Sequence, residues 1–236
     1  MIALIMAAGK GSRISSITNK LPKCFLELGG IKLIDHQINA LKTFGINDIV
    51  IVTGYKANII REYYQKENLT LLINPFYELT NVLSSVWFAK NYLSNGFYFM
   101  HADTYFEPEI LNELIQYKED IVLSVNKKNT IPEDMKVIVE NNLIKLINKE
   151  MDCNSAYGEF IGLAKISSSI APLVIEKIKS RIENENGKDY FFELVIQDLI
   201  DMNLDVHFHD INDKQAIEID FPDDYEEAKN IYNQLN

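Results

Sequence analysis

Residues 4–13 read LIMAAGKGSR, an apolar stretch running straight into two glycines, a lysine, a serine and an arginine. Small residues at the end of a buried strand let a ligand lie against the main chain, and glycines let consecutive N–H groups point at one anion. Arg13 then offers a fork of donors suited to a phosphate. A bare G-x-G also serves a tight turn, so the loop by itself leaves both readings open. Two other phosphate loops do not fit: a dinucleotide fingerprint wants a third glycine where Arg13 or Ile14 stands, and Gly-Lys-Gly-Ser has the wrong spacing for a P-loop. Asp103 ends the apolar run FYFMHAD and Asp220 ends AIEID. A hard cation takes carboxylate oxygens together with phosphate oxygens, which two aspartates from separate strands suit. Read without that context, Asp103 caps a turn and Asp220 caps the last helix. Glu218 lies one pleat from Asp220 and points the same way.

These groups need a scaffold, and the pattern supplies one. IALIMA, LIDHQINALKTF, DIVIVTG, NIIREYYQKE and LTLLIN alternate between buried-strand runs and helical periodicity, which predicts βαβ units on a mostly parallel, doubly wound, three-layer α/β sheet. Open sheets of that kind bind ligands beyond the carboxyl ends of their strands, where the glycine loop falls. NVLSSVWFAKNYL reads as a helix capped by Thr80 or Asn81 with Trp87 in the core, and another helix begins near Pro108. From about residue 127 to 166 the pattern becomes antiparallel, two strands around ENNL and a third in GEFIGLAKIS, and predicts an antiparallel flap or extension on the acceptor side of the single domain 1–236. Two further helices, the strands DVHFHDI and AIEID, and a last helix opening on PDDYEEA complete the chain.

Composition narrows the partners. The 236 residues, 47% hydrophobic, suffice for one large core, and a net charge of −11 argues against nucleic acid or an anionic membrane surface as a partner. Any anion site must gather its cations locally. Cys24 and Cys153 build no disulfide framework, and no apolar run nears the roughly 20 residues that span a bilayer. The expectation is a cytoplasmic monomer or homodimer. His207 and His209 share a strand face without a third ligand nearby and read as strand residues; His36 sits on a helix face, and His101 either points to Asp103 or packs.

The run AAGKGSR, followed by LPKCFLELGG, then NPFYELTNVLSS, HADTYF and EIDFPDDYEEA in order, resembles the nucleotidyltransferases that make sugar nucleotides and CDP-activated small molecules. EDMKV, NKEM, GEFIGL and EID are most similar to a branch that transfers CMP from CTP to phosphocholine, phosphonates and similar small anionic acceptors, releasing pyrophosphate. The branch often carries a tryptophan shortly before E-I-D where this chain has Ala216, so its acceptor pocket is expected to differ.

The resemblance implies roles residue by residue. Ala7 and Ala8 lie against the nucleoside; Gly9, Lys10, Gly11 and Ser12 cradle phosphates; Arg13 and Lys23 grip the triphosphate; and Tyr77, Asn81 and Ser84 flank the base or ribose, Asn81 being equally a helix cap. Asp103 and Asp220 hold Mg²⁺. Lys136, Lys149, Glu159, Tyr190 and Glu193 fall on the acceptor side, where Tyr157, Phe160 and Phe192 offer further aromatic surface for a cationic group. A sugar 1-phosphate nucleotidyltransferase using UTP, dTTP or CTP is the near alternative, and a nucleotide-binding protein without turnover a distant one. A metal-dependent glycosyltransferase would carry D-x-D where this chain has Asp103-Thr104-Tyr105.

Overall fold

The first apolar run, Ile2–Ala7, forms β1, and its side chains part to opposite faces as a period of two requires. Leu4 and Met6 enter one core, while Ala3, Ile5 and Ala7 enter another. The computed structural model describes residues 1–235. In chain order β1 is followed by α1 (Ser15–Thr18), β2 (Glu27–Leu28), β3 (Ile31–Lys32), α2 (Leu33–Thr43), β4 (Ile49–Thr53), α3 (Ala57–Tyr63) and β5 (Thr70–Ile73). Then come α4 (Val82–Ala89), β6 (Phe97–His101), β7 (Thr104–Phe106), α5 (Pro108–Gln116), β8 (Ile121–Asn126), β9 (Lys136–Glu140), β10 (Leu143–Asn148) and β11 (Gly158–Ile166). The chain closes with α6 (Ala171–Glu183), α7 (Glu193–Asp201), β12 (His207–Asp210), β13 (Ala216–Glu218) and α8 (Pro222–Leu235).

Nine strands share one sheet, ordered β10-β9-β11-β6-β1-β4-β5, with β8 on β11 and β12 on β8. β1 runs parallel to β4 and β6, and β5 parallel to β4. The parallel half is the doubly wound sheet that the alternating pattern predicts. Helices α4, α6 and α7 cover one face, and α2, α3 and α5 the other. Among the described residues no helix is long and apolar enough to cross a membrane.

The antiparallel segment is an extension of the main sheet. β11 pairs antiparallel with β6, β8 and β9, so segment 127–166 extends the core rather than hinging over it. An irregularity between Phe160 and Ala164 lets one strand serve three neighbours. Gly162 sits there at φ +72, where a Cβ would stand 2.7 Å from His101 Nδ1. Trp87 packs on the rim rather than inside the core: it is partly exposed, its indole donates to Glu183 at 3.1 Å, and Lys90 lies 3.3 Å from the ring centroid. His209 is tied to Glu113 and Ser124, as suits a strand residue.

A small third core decides where the site forms. Ile14, Leu26, Leu28, Leu33, Tyr105, Ile219 and Ala228 pack the segment after the glycine loop against β13 and α8. β13 pairs antiparallel with β7, Glu218 opposite Thr104, and the Ile219 N–H donates to the Asp103 carbonyl at 3.1 Å. Two stretches far apart in the chain thereby become neighbours.

Candidate active site

Asp103 lies in the turn between β6 and β7, at the carboxyl end of the parallel strands beside the glycine loop. The turn is pinned from beneath: the buried Gln37 amide donates at 2.8 Å to both the His101 and Thr104 carbonyls. Asp220 follows β13. Its carboxylate turns to Lys23 and Arg13 rather than to the helix that follows, and the Asp224 carboxylate accepts from the N–H groups of Asp220 and Phe221 at 2.8 and 2.7 Å. The Asp220 carboxylate is left to face inward.

Lys23 closes the arrangement. Its ammonium donates to Asp103 Oδ2 at 2.7 Å and to Asp220 Oδ1 at 2.6 Å, with only 9% of the side chain exposed. Arg13 approaches Asp220 Oδ2 at 3.4 Å. Burial alone would lower the lysine pKa, but the two carboxylates override it and raise it. Burial would likewise raise Asp103; Lys23 first, then His101, hold it below the ordinary range. Gly11 makes room for this lysine. It adopts φ +60, and a Cβ there would come within 3.1–3.3 Å of Lys23 Cβ, Cγ and Cδ.

Two adjoining cavities open on this cluster. One, of about 320 Å³, is lined by Ala7, Gly9, Gly11, Ser12, Arg13, Lys23, Asp103 and Asp220. The other, of about 330 Å³, shares Gly9, Arg13, Asp103 and Asp220 and runs on past Ala8, Tyr77, Asn81, Ser85, Lys149, Phe191 and Glu193. Its deep end is acidic. His101 stands between Glu218, at 3.5 Å from Nδ1, and Glu193, at 3.9 Å from Nε2. Burial opposes its protonation, yet the hydrogen bond and charge of Glu218, then Glu193 and Asp103, lift its pKa to about 9. Burial raises the Glu193 pKa, and its Oε2 has no hydrogen-bond partner. One donor atom each from His101, Asp103 and Glu218 lie within 4.8 Å of one another.

A glycine loop, two cations and two convergent aspartates suit transfer of a phosphoryl-linked group. Residues 3–161 match the MobA-like NTP transferase domain. The chain belongs to that family. Over 244 residues it is 30% identical to a CTP:phosphoglutamine cytidylyltransferase of Campylobacter jejuni, covering 93% of each chain. Over 240 residues it is 29% identical to a choline-phosphate cytidylyltransferase of Streptococcus pneumoniae, covering all of both. The solved structure of a CTP:phosphocholine cytidylyltransferase from Streptococcus pneumoniae superposes with a TM-score of 0.85 at 25% identity, covering 98% of both chains.

Within this nucleotidyltransferase family frame, the structure brings most of the predicted residues to one cleft. Ala7, Ala8, Gly9, Gly11, Ser12, Arg13, Lys23, Tyr77, Asn81, Asp103, Lys149, Glu193 and Asp220 all line it. Asn81 also caps α4, its Oδ1 accepting from the Val82 N–H at 2.8 Å. Lys10 is exposed and turns to Glu78 at 3.7 Å. Ser84 is buried and lines neither cavity, and helical phase gives the cleft to Ser85, the next residue. Lys136 is corrected outright: it is fully buried, and its ammonium donates to the carbonyls of Ile131, Pro132 and Asp134 at 3.2, 2.9 and 3.2 Å. It fastens a loop and lines neither cavity.

Tyr190 is corrected too. Its ring packs beside Arg181, 5.7 Å from the guanidinium carbon, while its neighbour Phe191 enters the cleft. Phe192 is core, stacked on Phe99 at 4.4 Å, and the Tyr157 hydroxyl donates to Asp210 at 2.7 Å. Glu159 pairs with Lys128 at 2.8 Å and lines a neighbouring cavity that shares the Glu218 and Asp220 walls. Sequence reasoning misses Phe191 and Ser85. The one available signal is register: each lies one position from a residue that the pattern selects.

Proposed function

We propose that the protein is a cytidylyltransferase that transfers CMP from CTP to a small phosphorylated or phosphonate acceptor and releases pyrophosphate. The observation that carries this reading is the seat of Lys23 between Asp103 and Asp220, opening on the glycine loop. Phosphoryl transfer asks a protein for position and for fixed positive charge more than for covalent chemistry. The Gly9–Ser12 main chain receives the polyphosphate, and Arg13 and Lys23 draw off the charge that grows on pyrophosphate as it leaves. An acceptor oxygen attacks the α-phosphorus, forming a new P–O bond while the bond from that phosphorus to the bridging oxygen of pyrophosphate breaks. A phosphate's second pKa is roughly 6, so the attacking oxygen is already anionic near neutral pH and no general base is needed.

The donor set also fits a divalent cation. Two carboxylates from separate elements converge on a single positive charge, and every donor is a hard oxygen. Asp103 and Asp220 would hold Mg²⁺, which would supply further neutralisation of the phosphates. The rest falls to the chain itself. Ala7 and Ala8 leave a flat wall for the nucleoside, bordered by Tyr77 and Asn81.

For the acceptor, the cleft beyond Asp103 offers Lys149 to an anionic phosphorus group and Glu193, with its unpaired oxygen, to a cationic or amino group beside Phe191. That pairing favours a zwitterion, a class to which the named substrates of the two cytidylyltransferase relatives belong. A hexose 1-phosphate would bring no cationic group to the unpaired Glu193 oxygen.

The test is pyrophosphate release from CTP, UTP or dTTP with phosphocholine, phosphoethanolamine, 3-aminopropylphosphonate or glucose 1-phosphate. CTP with a zwitterionic acceptor is expected to exceed every hexose 1-phosphate combination by at least about tenfold. Turnover with hexose 1-phosphates alone would overturn the reading.

A further inference from the structure

The ammonium of Lys23 sits between the two carboxylates assigned above to the metal ion. It is 2.7 Å from Asp103 Oδ2 and 2.6 Å from Asp220 Oδ1. An ion taking those two oxygens at about 2.1 Å, the Mg²⁺ distance, could lie no further than about 5 Å from that nitrogen. Two cations so placed repel each other across a cleft with little water to screen them, since the lysine side chain is only 9% exposed. The carboxylates, in turn, need a cation at all times, because paired anions facing one cleft repel.

We propose that Lys23 holds the metal seat in the nucleotide-free protein, and that the divalent cation gains the Asp103–Asp220 pair only after a nucleotide's phosphates draw the ammonium away. The inference rests on the assignment of that pair as metal ligands. Gly11 makes the exchange short. The Cβ to Cδ stem of Lys23 packs under the loop, within 3.1–3.3 Å of where a glycine side chain would begin. The terminal carbon and nitrogen are therefore what must swing, and the glycine loop is adjacent. The charge near the two aspartates then never falls to zero: ammonium before nucleotide, divalent cation after it.

Direct binding of Mn²⁺ to nucleotide-free protein, followed by the EPR signal of the free ion, tests this without turnover. The wild-type protein is expected to bind no tighter than the millimolar range, and Lys23→Met at least tenfold tighter. Lys23→Arg, which keeps the charge, should stay near wild type. With CTP present, the wild type should take up Mn²⁺ more tightly than protein or CTP does alone. Micromolar binding by the nucleotide-free wild type overturns the proposal whether or not the variants fold, as does the lack of any gain with CTP. Adding Asp220→Asn to Lys23→Met separates the two claims. Loss of the tightened binding upholds the ligand assignment, whereas its persistence overturns the assignment itself. If Lys23→Met binds no tighter than wild type while Asp220→Asn alone weakens binding, the competition fails and the ligand pair stands.

Discussion

Three side chains from three parts of the chain, Lys23, Asp103 and Asp220, meet within hydrogen-bond distance. Lys23 is nearly buried, so without the aspartates its ammonium would be costly. Without Lys23, the nucleotide-free cleft would hold two facing carboxylates. Lys23→Ala and Asp103→Ala are each expected to lower turnover by at least about two orders of magnitude, the loss typical of one charge-stabilising group. Circular dichroism should show both variants folded, and near-normal rates from either would refute the catalytic roles of these two side chains. The family resemblance singles out this trio but not its geometry: on pattern alone, Asp103 and Asp220 read as turn and helix caps. The Asp220 carboxylate turns instead to Lys23 and Arg13, while Asp224 accepts from the backbone N–H groups of Asp220 and Phe221.

At the scale of elements, the segment from 127 to 166 shows what pattern can and cannot decide. Its strands are antiparallel as their alternation requires, and they extend the central sheet. Lys136 marks the limit. Alternation places it on a strand and says nothing of which side is solvent; the loop 131–134 folds over it and offers three carbonyls to its ammonium. Replacing Lys136 with Met should cost about 2–4 kcal/mol, the range for breaking a buried polar network, measured as a lower urea midpoint. The KM for the acceptor in the folded protein should be unchanged. A raised KM at undiminished stability would return Lys136 to the acceptor site.

For the molecule as a whole, charge is distributed against its average. A chain of net charge −11 places Arg13, Lys23 and Lys149 along one cleft, with the acids that His101 bridges at its deep end. Because the folded pKa of His101 is raised from 6.5 to about 9, its contribution to stability is fully present below about pH 6.5 and is lost as pH rises through 9. At roughly 1.36 kcal/mol per unit, that contribution is at most about 3 kcal/mol. Urea unfolding in EDTA should show wild type losing stability between pH 6.5 and 9 relative to His101→Gln. Parallel profiles for the two proteins would mean that His101 is neutral in the fold.

The sequence by itself determined the sheet's parallel half, the glycine loop and the family, because these rest on local matters: periodicity of two or 3.6, glycine where a left-handed turn is needed, and a contiguous motif. Tertiary structure decided which of the candidate residues meet. The pairing of β13 with β7 sets Asp220 beside Asp103, and helical phase hands the cleft to Ser85 rather than Ser84. A one-residue change of register gives Phe191 to the site and Tyr190 to Arg181. Such choices depend on long-range packing of whole elements, to which no short stretch of sequence is sensitive.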